Sequence, residues 1–265
     1  MDIMRFIFGR SGMCSAAGIC RASLPVYGVP RGPGNTLPRA FRSLFMNTTA
    51  QNDRDLIGLL GAGKLGTAIG RLAAEAGFPL AVSVRPGNPL YDLTLPTLLP
   101  TARLVPFEEL ARTADILILA LPQPALASID LSGVRGIVVD ATNAWEATDG
   151  TPDNSISASS ANTRHTTAAL QARYPELAIV KSLNHAGYTE LSAEARPHGA
   201  PGRRTVAVAG DAAARSRVAA FIDAIGFDPV ELSAEHAALL EPGGVAFGQR
   251  LELADWPADI VVTRR

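Results

Sequence analysis

The stretch Leu56-Ile57-Gly58-Leu59-Leu60-Gly61-Ala62-Gly63-Lys64-Leu65-Gly66 decides the fold of this chain. Its first five residues are an apolar run of strand length, and three glycines stand among the last six. Helix-forming residues follow over 67–76, and Gly77 ends them. The sequence therefore predicts a strand, a tight turn and a helix in direct succession.

The glycines match G-x-G-x-x-G in the context where this pattern binds a dinucleotide, after a first strand and at the start of a helix. Gly61 allows the tight turn, Gly63 lets the backbone approach a pyrophosphate, and Gly66 brings the helix close to its strand. The free N–H groups of the first helical turn, at Lys64 and Leu65, face the phosphates, whose negative charge the helix dipole favours. We therefore predict a dinucleotide-binding loop here.

Apolar runs of strand length recur between helical stretches along the chain, which is typical of a parallel sheet with helices on both faces. The later predicted strands cover 80–84, 103–105, 116–121, 137–141, 178–183, 205–209 and 229–232, the last as an edge strand. Predicted helices cover 107–111, 160–173, 188–195 and 212–225. We expect an α/β fold of the Rossmann type, a doubly wound, mostly parallel sheet with a small C-terminal αβ extension.

Residues 1–50 differ in composition from the rest of the 265-residue chain. All four methionines and both cysteines lie in the first 46 residues, where six arginines face one aspartate. This segment carries +5 and the remainder −6, because the formal net charge is −1. We expect a disordered leader or a start codon placed too early, with a transit peptide as the alternative. Residues 51–265 are then the nucleotide-binding domain, with a substrate-covering portion from about residue 178.

The composition argues against nucleic acid and membranes as partners. With 24 Lys+Arg against 25 Asp+Glu, the chain has no global basic field for a phosphate backbone. The longest apolar run, 116–121, is far shorter than the roughly 20 residues that cross a bilayer. The four histidines lack the spacing of a metal site, so no metal is expected. We expect a cytoplasmic protein, or a mitochondrial matrix protein only if residues 1–46 are a transit peptide.

The end of the second predicted strand indicates which dinucleotide binds. An NAD site usually has an Asp or Glu about 20 residues past the glycines, where it accepts hydrogen bonds from ribose hydroxyls. This chain has Ser83-Val84-Arg85-Pro86-Gly87-Asn88 there, without an acid. Arg85 can pair with a 2′-phosphate, with Ser83 and Asn88 beside it. We therefore predict NADP(H), and the alternative is a surface arginine that merely follows a strand.

Three loops at the carboxyl ends of predicted strands should line the ligand crevice of an open parallel sheet. They read Leu121-Pro122-Gln123-Pro124, Thr142-Asn143-Ala144-Trp145 and Asn184-His185-Ala186-Gly187-Tyr188. Leu121 and Pro122 are expected beside the cofactor. Asn143, Asn184 and His185 are the candidates for catalytic or ligand contact, although asparagines also suit turns and helix caps. The two aromatic residues suit the wall of the site better than its chemistry.

The predicted loop 196–204 carries three arginines on a framework of prolines and glycines. Arginine binds carboxylate and phosphate in a bidentate manner, so Arg196, Arg203 and Arg204 can clamp the anionic tail of a substrate. The alternative, a solvated surface loop, is the preferred one of these two interpretations.

Four sequence segments carry a resemblance to a known family. They are Gly61 to Gly66, Asp115-Ile116-Leu117-Ile118-Leu119-Ala120, Val139-Asp140-Ala141-Thr142-Asn143 and Val180-Lys181-Ser182-Leu183-Asn184. Together they resemble the NADP oxidoreductases that use the deazaflavin coenzyme F420, and the nucleotide module is also similar to the cytosolic part of six-transmembrane ferric reductases. The later segments 195–204, 208–211 and 240–243 are similar to bacterial members of that group, so the resemblance spans about residues 55–248.

The resemblance implies an NADP-binding Rossmann domain with a small C-terminal portion over the nicotinamide, often in a homodimer. It assigns the three glycines and Arg85 to the cofactor, and Pro122 and Asn184 to the neighbourhood of the ring. The expected activity is hydride transfer between NADP(H) and a small, flat conjugated acceptor, a deazaflavin or a flavin-like molecule. A flavin or ferric reductase, and a sensor that binds NADP(H) without turnover, are the alternatives.

Overall fold

The structure of the chain is a computed structural model, and it describes residues 54–87, 89–144 and 166–264. The predictions for the leader 1–50, for Asn88, for Trp145 and for the first part of the helix 160–173 lie outside the described residues. Within these ranges, no helix is long and apolar enough to cross a membrane.

The described residues contain a nine-stranded sheet. Its strands are β1 (Ile57–Leu60), β2 (Leu80–Ser83), β3 (Arg103–Leu104), β4 (Ile116–Leu119), β5 (Ile137–Asp140), β6 (Ile179–Ser182), β7 (Thr205–Gly210), β8 (Asp228–Leu232) and β9 (Val261–Arg264). The order is β3-β2-β1-β4-β5-β6-β7-β8-β9, in which β1 to β6 pair in parallel. β7 pairs antiparallel with β6 and parallel with β8, and β9 pairs antiparallel with β8. This confirms the predicted doubly wound sheet with a C-terminal extension.

Helices connect the strands. They are α1 (Lys64–Glu75), α2 (Pro89–Leu98), α3 (Phe107–Thr113), α4 (Gln123–Ala127), α5 (Thr166–Arg173), α6 (Tyr188–Glu194) and α7 (Ala212–Ala224), with 3-10 helices at Ala234–Leu240 and Leu253–Asp255. The sequence did not predict α2, because Pro96 interrupts its pattern and a proline inside a run argues against a helix. It did not predict α4 either, and Gln123 and Pro124, expected in a loop, lie in the first turn of that helix.

Apolar side chains fill both faces of the sheet. In β4 every residue is buried; Ile116 and Ile118 belong to one apolar cluster, while Leu117 and Leu119 belong to another. This alternation follows from the period of two in a strand, and it explains why the strands are continuous apolar runs rather than alternating ones.

The C-terminal extension is tied to the nucleotide module by packing and by charge. The rings of Phe78 and Phe221 meet edge to face with centroids 5.2 Å apart. Arg217 on α7 pairs with Asp55 at 2.6 Å and with Asp115 at 3.2 Å, next to the starts of β1 and β4. The C-terminal extension is therefore packed against the nucleotide module and continues its sheet.

The prediction that residues 229–232 form an edge strand is wrong. These residues lie in β8, which is covered on its outer side by β9. The sequence signal for β9 is a short β-branched run near the C-terminus, and only its pairing with β8 makes it a strand.

Candidate functional site

A cleft of about 1270 Å³ opens where β1 to β4 end. The chain leaves the neighbouring strands β1 and β4 toward opposite sides of the sheet, and ligands bind at such a switch point. Five of the predicted cofactor residues line this cleft: Gly61, Ser83, Arg85, Leu121 and Pro122. The fold therefore brings together residues that lie up to 61 positions apart in the sequence, from Gly61 to Pro122.

The glycine loop has the geometry that a phosphate cradle needs. Gly61 has φ +105°, and a Cβ there would lie 2.4 Å from the carbonyl oxygen of Ala120. A Cβ on Gly66 would lie 2.2 Å from the carbonyl oxygen of Gly61. At Gly63, by contrast, no atom of the described residues lies within 4 Å of an added Cβ. Packing therefore requires two of the glycines, while the third leaves open space in front of the helix, so the loop fits a pyrophosphate.

The start of α1 presents backbone N–H groups to that open space. Gly63 is the N-cap and gives no side-chain cap, and the first turn contains no acidic residue that would compete with an anion. The ammonium group of Lys64 lies 5.3 Å from the centroid of the Tyr188 ring, which is 39 % exposed. Tyr188, predicted as a wall residue, thus lies beside the glycine loop, with Lys64 between the two.

The distal part of the cleft carries the charges that suit a phosphate on the ribose. Arg85 is exposed and forms no ion pair with the described residues, whereas Ser83 is buried at the end of β2. A second guanidinium, that of Arg112 on α3, lines the same cleft. Arg112 was not predicted as a site residue, because a single arginine near the end of a helix gives no sequence signal. Glu108 also lines the cleft, so its charge is mixed.

Asn143 and Asn184 lie together at the ends of β5 and β6. The amide nitrogen of Asn184 donates to Oδ1 of Asn143 at 2.9 Å and to the carbonyl oxygen of Leu240 at 2.6 Å. The amide nitrogen of Asn143 donates to the Asn184 carbonyl oxygen at 3.1 Å. Asn184 is buried, and its Oδ1 has no hydrogen-bond partner among the described residues. A buried acceptor without a partner is costly. The oxygen is closed to solvent and neither asparagine lines the cleft, so an N–H group of a ligand would reach it only after the Asn184 side chain moves.

His185 has a structural position. The ring is buried, and its Nε2 accepts a hydrogen bond from the Ala207 N–H of β7 at 3.2 Å. The Ser182 hydroxyl donates to the carbonyl oxygen of the same residue at 2.8 Å, so the two side chains continue the β6–β7 pairing. Burial, with Arg204 and Lys181 nearby, lowers the pKa of His185 to about 3. The interpretation of His185 as a candidate catalytic group is therefore revised, because a ring that stays neutral inside the sheet cannot exchange protons with a substrate.

The arginine clamp is contradicted by the structure. Arg203 is buried and pairs with Asp223 at 2.9 Å and with Asp228 at 2.6 Å. Arg204 is buried as well, and its Nη1 lies 2.6 Å from Glu190. Both guanidinium groups hold the extension together, so neither can receive an anionic tail. The alternative of a solvated loop is wrong for these two residues too.

A buried charged cluster, which was not predicted from the sequence, lies next to the asparagine pair. Asp140 at the end of β5 and Lys181 in β6 are completely buried, and Lys181 Nζ lies 3.2 Å from the Asp140 carboxylate and 3.0 Å from that of Glu241. The available signal was a charged residue within an apolar strand. Glu241 carried no such signal, because it lies in a loop 60 positions away from Lys181.

Comparison with known proteins supports the resemblance. The family model described as NADP oxidoreductase, coenzyme F420-dependent, matches residues 56–144. A crystal structure of a hypothetical protein from Sinorhizobium meliloti shares 24 % identity, covers 75 % of this chain and 95 % of its own, and has a TM-score of 0.62. That of a proposed F420-dependent NADP reductase from Arthrobacter sp. FB24 shares 25 % identity over 71 % of this chain and 90 % of its own, with a TM-score of 0.56. No curated protein matches significantly.

The predicted resemblance is confirmed for residues 56–144, which match an oxidoreductase family with an NAD(P)-binding Rossmann fold. The match covers β1 to β5 and therefore includes the glycine loop and the cleft.

Proposed function

We propose that the protein binds NADP(H) in the cleft and transfers a hydride between the nicotinamide and a flat conjugated acceptor, a deazaflavin or a flavin-like molecule. The observation that carries this proposal is the open space at Gly63, in front of uncapped N–H groups and between two glycines that backbone contacts require. An anion is stabilised at such a helix start by the N–H groups and by the helix dipole.

The 2′-phosphate of NADP(H) would lie at the end of β2. Arg85 supplies an unpaired charge there, and the hydroxyl of Ser83 lies on the same cleft wall. The Gly61 N–H donates to the Ser83 carbonyl oxygen at 2.9 Å, which joins the phosphate loop to this end of the site. Arg112 lines the same cleft and adds a second guanidinium group. No carboxylate stands at the end of β2, where an NAD site places its ribose ligand.

The nicotinamide would lie toward the ends of β4 to β6, beside Leu121, Pro122, Asn143 and Asn184. Oδ1 of Asn184 would accept a hydrogen bond from the carboxamide N–H of the ring, and the asparagine pair would fix the ring's orientation. When bound, NADPH supplies the hydride, and the reduced acceptor takes one further proton from the solvent. Orientation and exclusion of water are then the main contributions of the chain.

The proposal includes four wider features, of which the resemblance implies the domain organisation and the homodimer. Residues 51–265 would act as the nucleotide-binding domain, with the portion from about residue 178 covering the nicotinamide and the substrate. The active form would be a homodimer in the cytoplasm, and its partner a small molecule.

Cofactor choice is tested by the substitution Arg85→Asp. Loss of a charged hydrogen bond costs roughly 1.5 to 3 kcal/mol, so the Kd for NADPH should rise by about tenfold or more while that for NADH changes little. Arg103→Asp is the matched control, because Arg103 is exposed on β3, lies 3.6 Å from Glu109 and is not among the described residues that line the cleft. Isothermal titration calorimetry measures both affinities. An Arg85→Asp variant that keeps the preference for NADPH would contradict the cofactor assignment.

The acceptor is tested with wild-type protein and NADPH. A deazaflavin, a flavin and a ferric chelate are added in turn, and oxidation is followed at the nicotinamide absorbance band. We expect turnover with a planar acceptor. Tight NADPH binding without oxidation by any member of the panel would refute the enzyme and favour the sensor.

A further inference from the structure

The buried cluster around Lys181 is more than a single ion pair. We define the Lys181 cluster as Asp140, Lys181 and Glu241 with Thr142, Thr166 and Thr167 around them. The Lys181 side chain is completely buried, and its ammonium also donates to the Thr142 carbonyl oxygen at 2.7 Å. Burying an ammonium costs several kcal/mol unless it is paired and hydrogen-bonded, and this one satisfies both conditions.

The cluster joins four segments: the end of β5, β6 through Lys181, the start of α5 and the segment that contains Glu241. The hydroxyl of Thr166, at the start of α5, lies 2.7 Å from one carboxylate oxygen of Asp140 and 2.7 Å from one carboxylate oxygen of Glu241. The Thr166 N–H also donates to Glu241 at 3.1 Å, across 75 positions of sequence. The end of β5, Lys181 in β6, the start of α5 and the segment after the 3-10 helix Ala234–Leu240 are therefore held at one point.

The same contacts border the asparagine pair. Glu241 follows Leu240, whose carbonyl oxygen accepts the 2.6 Å hydrogen bond from Asn184. Thr142 precedes Asn143 and donates to the Asp140 carboxylate at 2.6 Å. Thr142 also accepts a hydrogen bond from Gln123, the residue after Pro122 at the cleft. Asn143 is thus bonded directly to Thr142 of the Lys181 cluster, and Asn184 is hydrogen-bonded to Leu240, the residue before Glu241.

The charges of the cluster are unequal in number, since one ammonium faces two carboxyl groups. Burial raises the pKa of Glu241, and the nearby Asp140 adds to this effect, which outweighs the attraction of Lys181. For Asp140, burial alone would raise the pKa, but Lys181 and the threonine hydroxyls outweigh it and lower the value. Asp140 is therefore the counter-ion of Lys181, and Glu241 is the carboxyl group that more readily takes a proton.

We infer that Glu241 is a positioning residue for the nicotinamide half of the site: through the Lys181 cluster it holds Leu240, Asn184 and Asn143 in the arrangement that receives the carboxamide of the ring. This inference rests on the proposed function. The phosphate loop and Arg85 lie at the ends of β1 and β2 and make no contact with the cluster among the described residues. Glu241 therefore acts on the orientation of the ring and leaves the affinity that comes from the phosphates intact.

The test compares Glu241→Ala with Glu241→Gln. The alanine variant removes the contacts to Thr166 and Lys181, whereas glutamine keeps an oxygen that accepts both hydrogen bonds. We expect Glu241→Ala to bind NADPH with a Kd within about threefold of wild type. Its rate of hydride transfer should fall by about tenfold or more, because the ring is misplaced, and the fluorescence change of the bound reduced nicotinamide should disappear. Glu241→Gln should restore both the rate and the fluorescence change.

The fluorescence change is measured without turnover, so failure of the proposed NADP(H) binding can be told apart from failure of the positioning role of Glu241. If wild-type protein gives no binding heat with NADPH, the proposed function fails and this inference fails with it. If wild type binds and Glu241→Ala keeps the full rate and fluorescence change, only the positioning role is overturned. Loss of all NADPH binding in a folded Glu241→Ala variant overturns it as well. Should Glu241→Ala not fold by circular dichroism, Glu241→Asp replaces it and must show the same separation of affinity from rate.

Discussion

The substitution Gly63→Ala separates ligand binding from folding at the glycine loop. A methyl group at position 63 meets no atom of the described residues within 4 Å, so the folded chain can accept it. Gly63 has φ −72° and ψ −167°, a conformation that alanine adopts without strain. Alanine is a poorer N-cap than glycine, which destabilises the folded chain, but it also restricts the unfolded chain, which stabilises the fold. We expect the free energy of unfolding to change by less than about 1 kcal/mol.

The effect on the cofactor is expected to be much larger. A backbone N–H binds a phosphate oxygen at about 2.9 Å, and the added methyl group would occupy the space through which that oxygen approaches. Loss of one charge-assisted hydrogen bond of roughly 1.5 to 3 kcal/mol corresponds to about one to two orders of magnitude in Kd. The loss should affect NADPH and NADH equally, because both carry the same pyrophosphate.

Calorimetry with both dinucleotides and urea denaturation measure the two quantities. Gly66→Ala is the control that should disturb folding as well as binding. Its Cβ would lie 2.2 Å from the carbonyl oxygen of Gly61, so the backbone must move. That variant should lose roughly 1 to 3 kcal/mol of stability as well as binding. A Gly63→Ala protein of normal stability and unchanged affinity would refute the pyrophosphate cradle.

Two further predictions concern Arg204 and His185, which were candidate site residues in the sequence and have structural contacts in the fold. Arg204→Met should lower the free energy of unfolding by roughly 1 to 3 kcal/mol, because Glu190 and the Gln249 carbonyl lose a charged donor. The KM for an acceptor with an anionic tail should stay unchanged. A selective rise of that KM would support the arginine clamp after all. The pKa of His185 is lowered to about 3 in the folded state, so its stabilising contribution is full above its unfolded pKa and is lost as the pH falls below about 6.5. Urea denaturation at pH 7 and at pH 5 measures how much the free energy of unfolding falls between the two. This decrease should be about 2 kcal/mol smaller in His185→Gln than in wild type. Equal decreases in the two proteins would show that the ring takes up a proton in the native protein.

Mixed clusters of arginine and carboxylate deserve a structural interpretation before a functional one. Arg203 and Arg204 follow prolines and glycines in a loop-like stretch, and such a stretch suggests solvent exposure. Their acidic partners lie on α6, on α7 and at the start of β8, and the resulting ion pairs fasten β7 between these elements.

The sequence alone determined the elements whose signals are local. An apolar run followed by Gly61, Gly63 and Gly66 specified β1, the turn and α1, because strand formation, a positive φ and close backbone approach depend on neighbouring residues. The recurrence of such units specified the parallel sheet. From that topology followed the position of Ser83 and Arg85 on one cleft, since parallel strands end at the same edge.

Tertiary structure decided everything that depends on distant partners. Pairing with β9 turned β8 from an edge strand into an inner one, and burial against Ala207 made His185 part of the sheet. The Lys181 cluster depends on contacts across 41 and 75 positions, between Lys181 and Asp140 and between Thr166 and Glu241. Whether a charged group is free, paired or neutral is set by the solvent and charges around it after folding, and no spacing in the sequence records that environment.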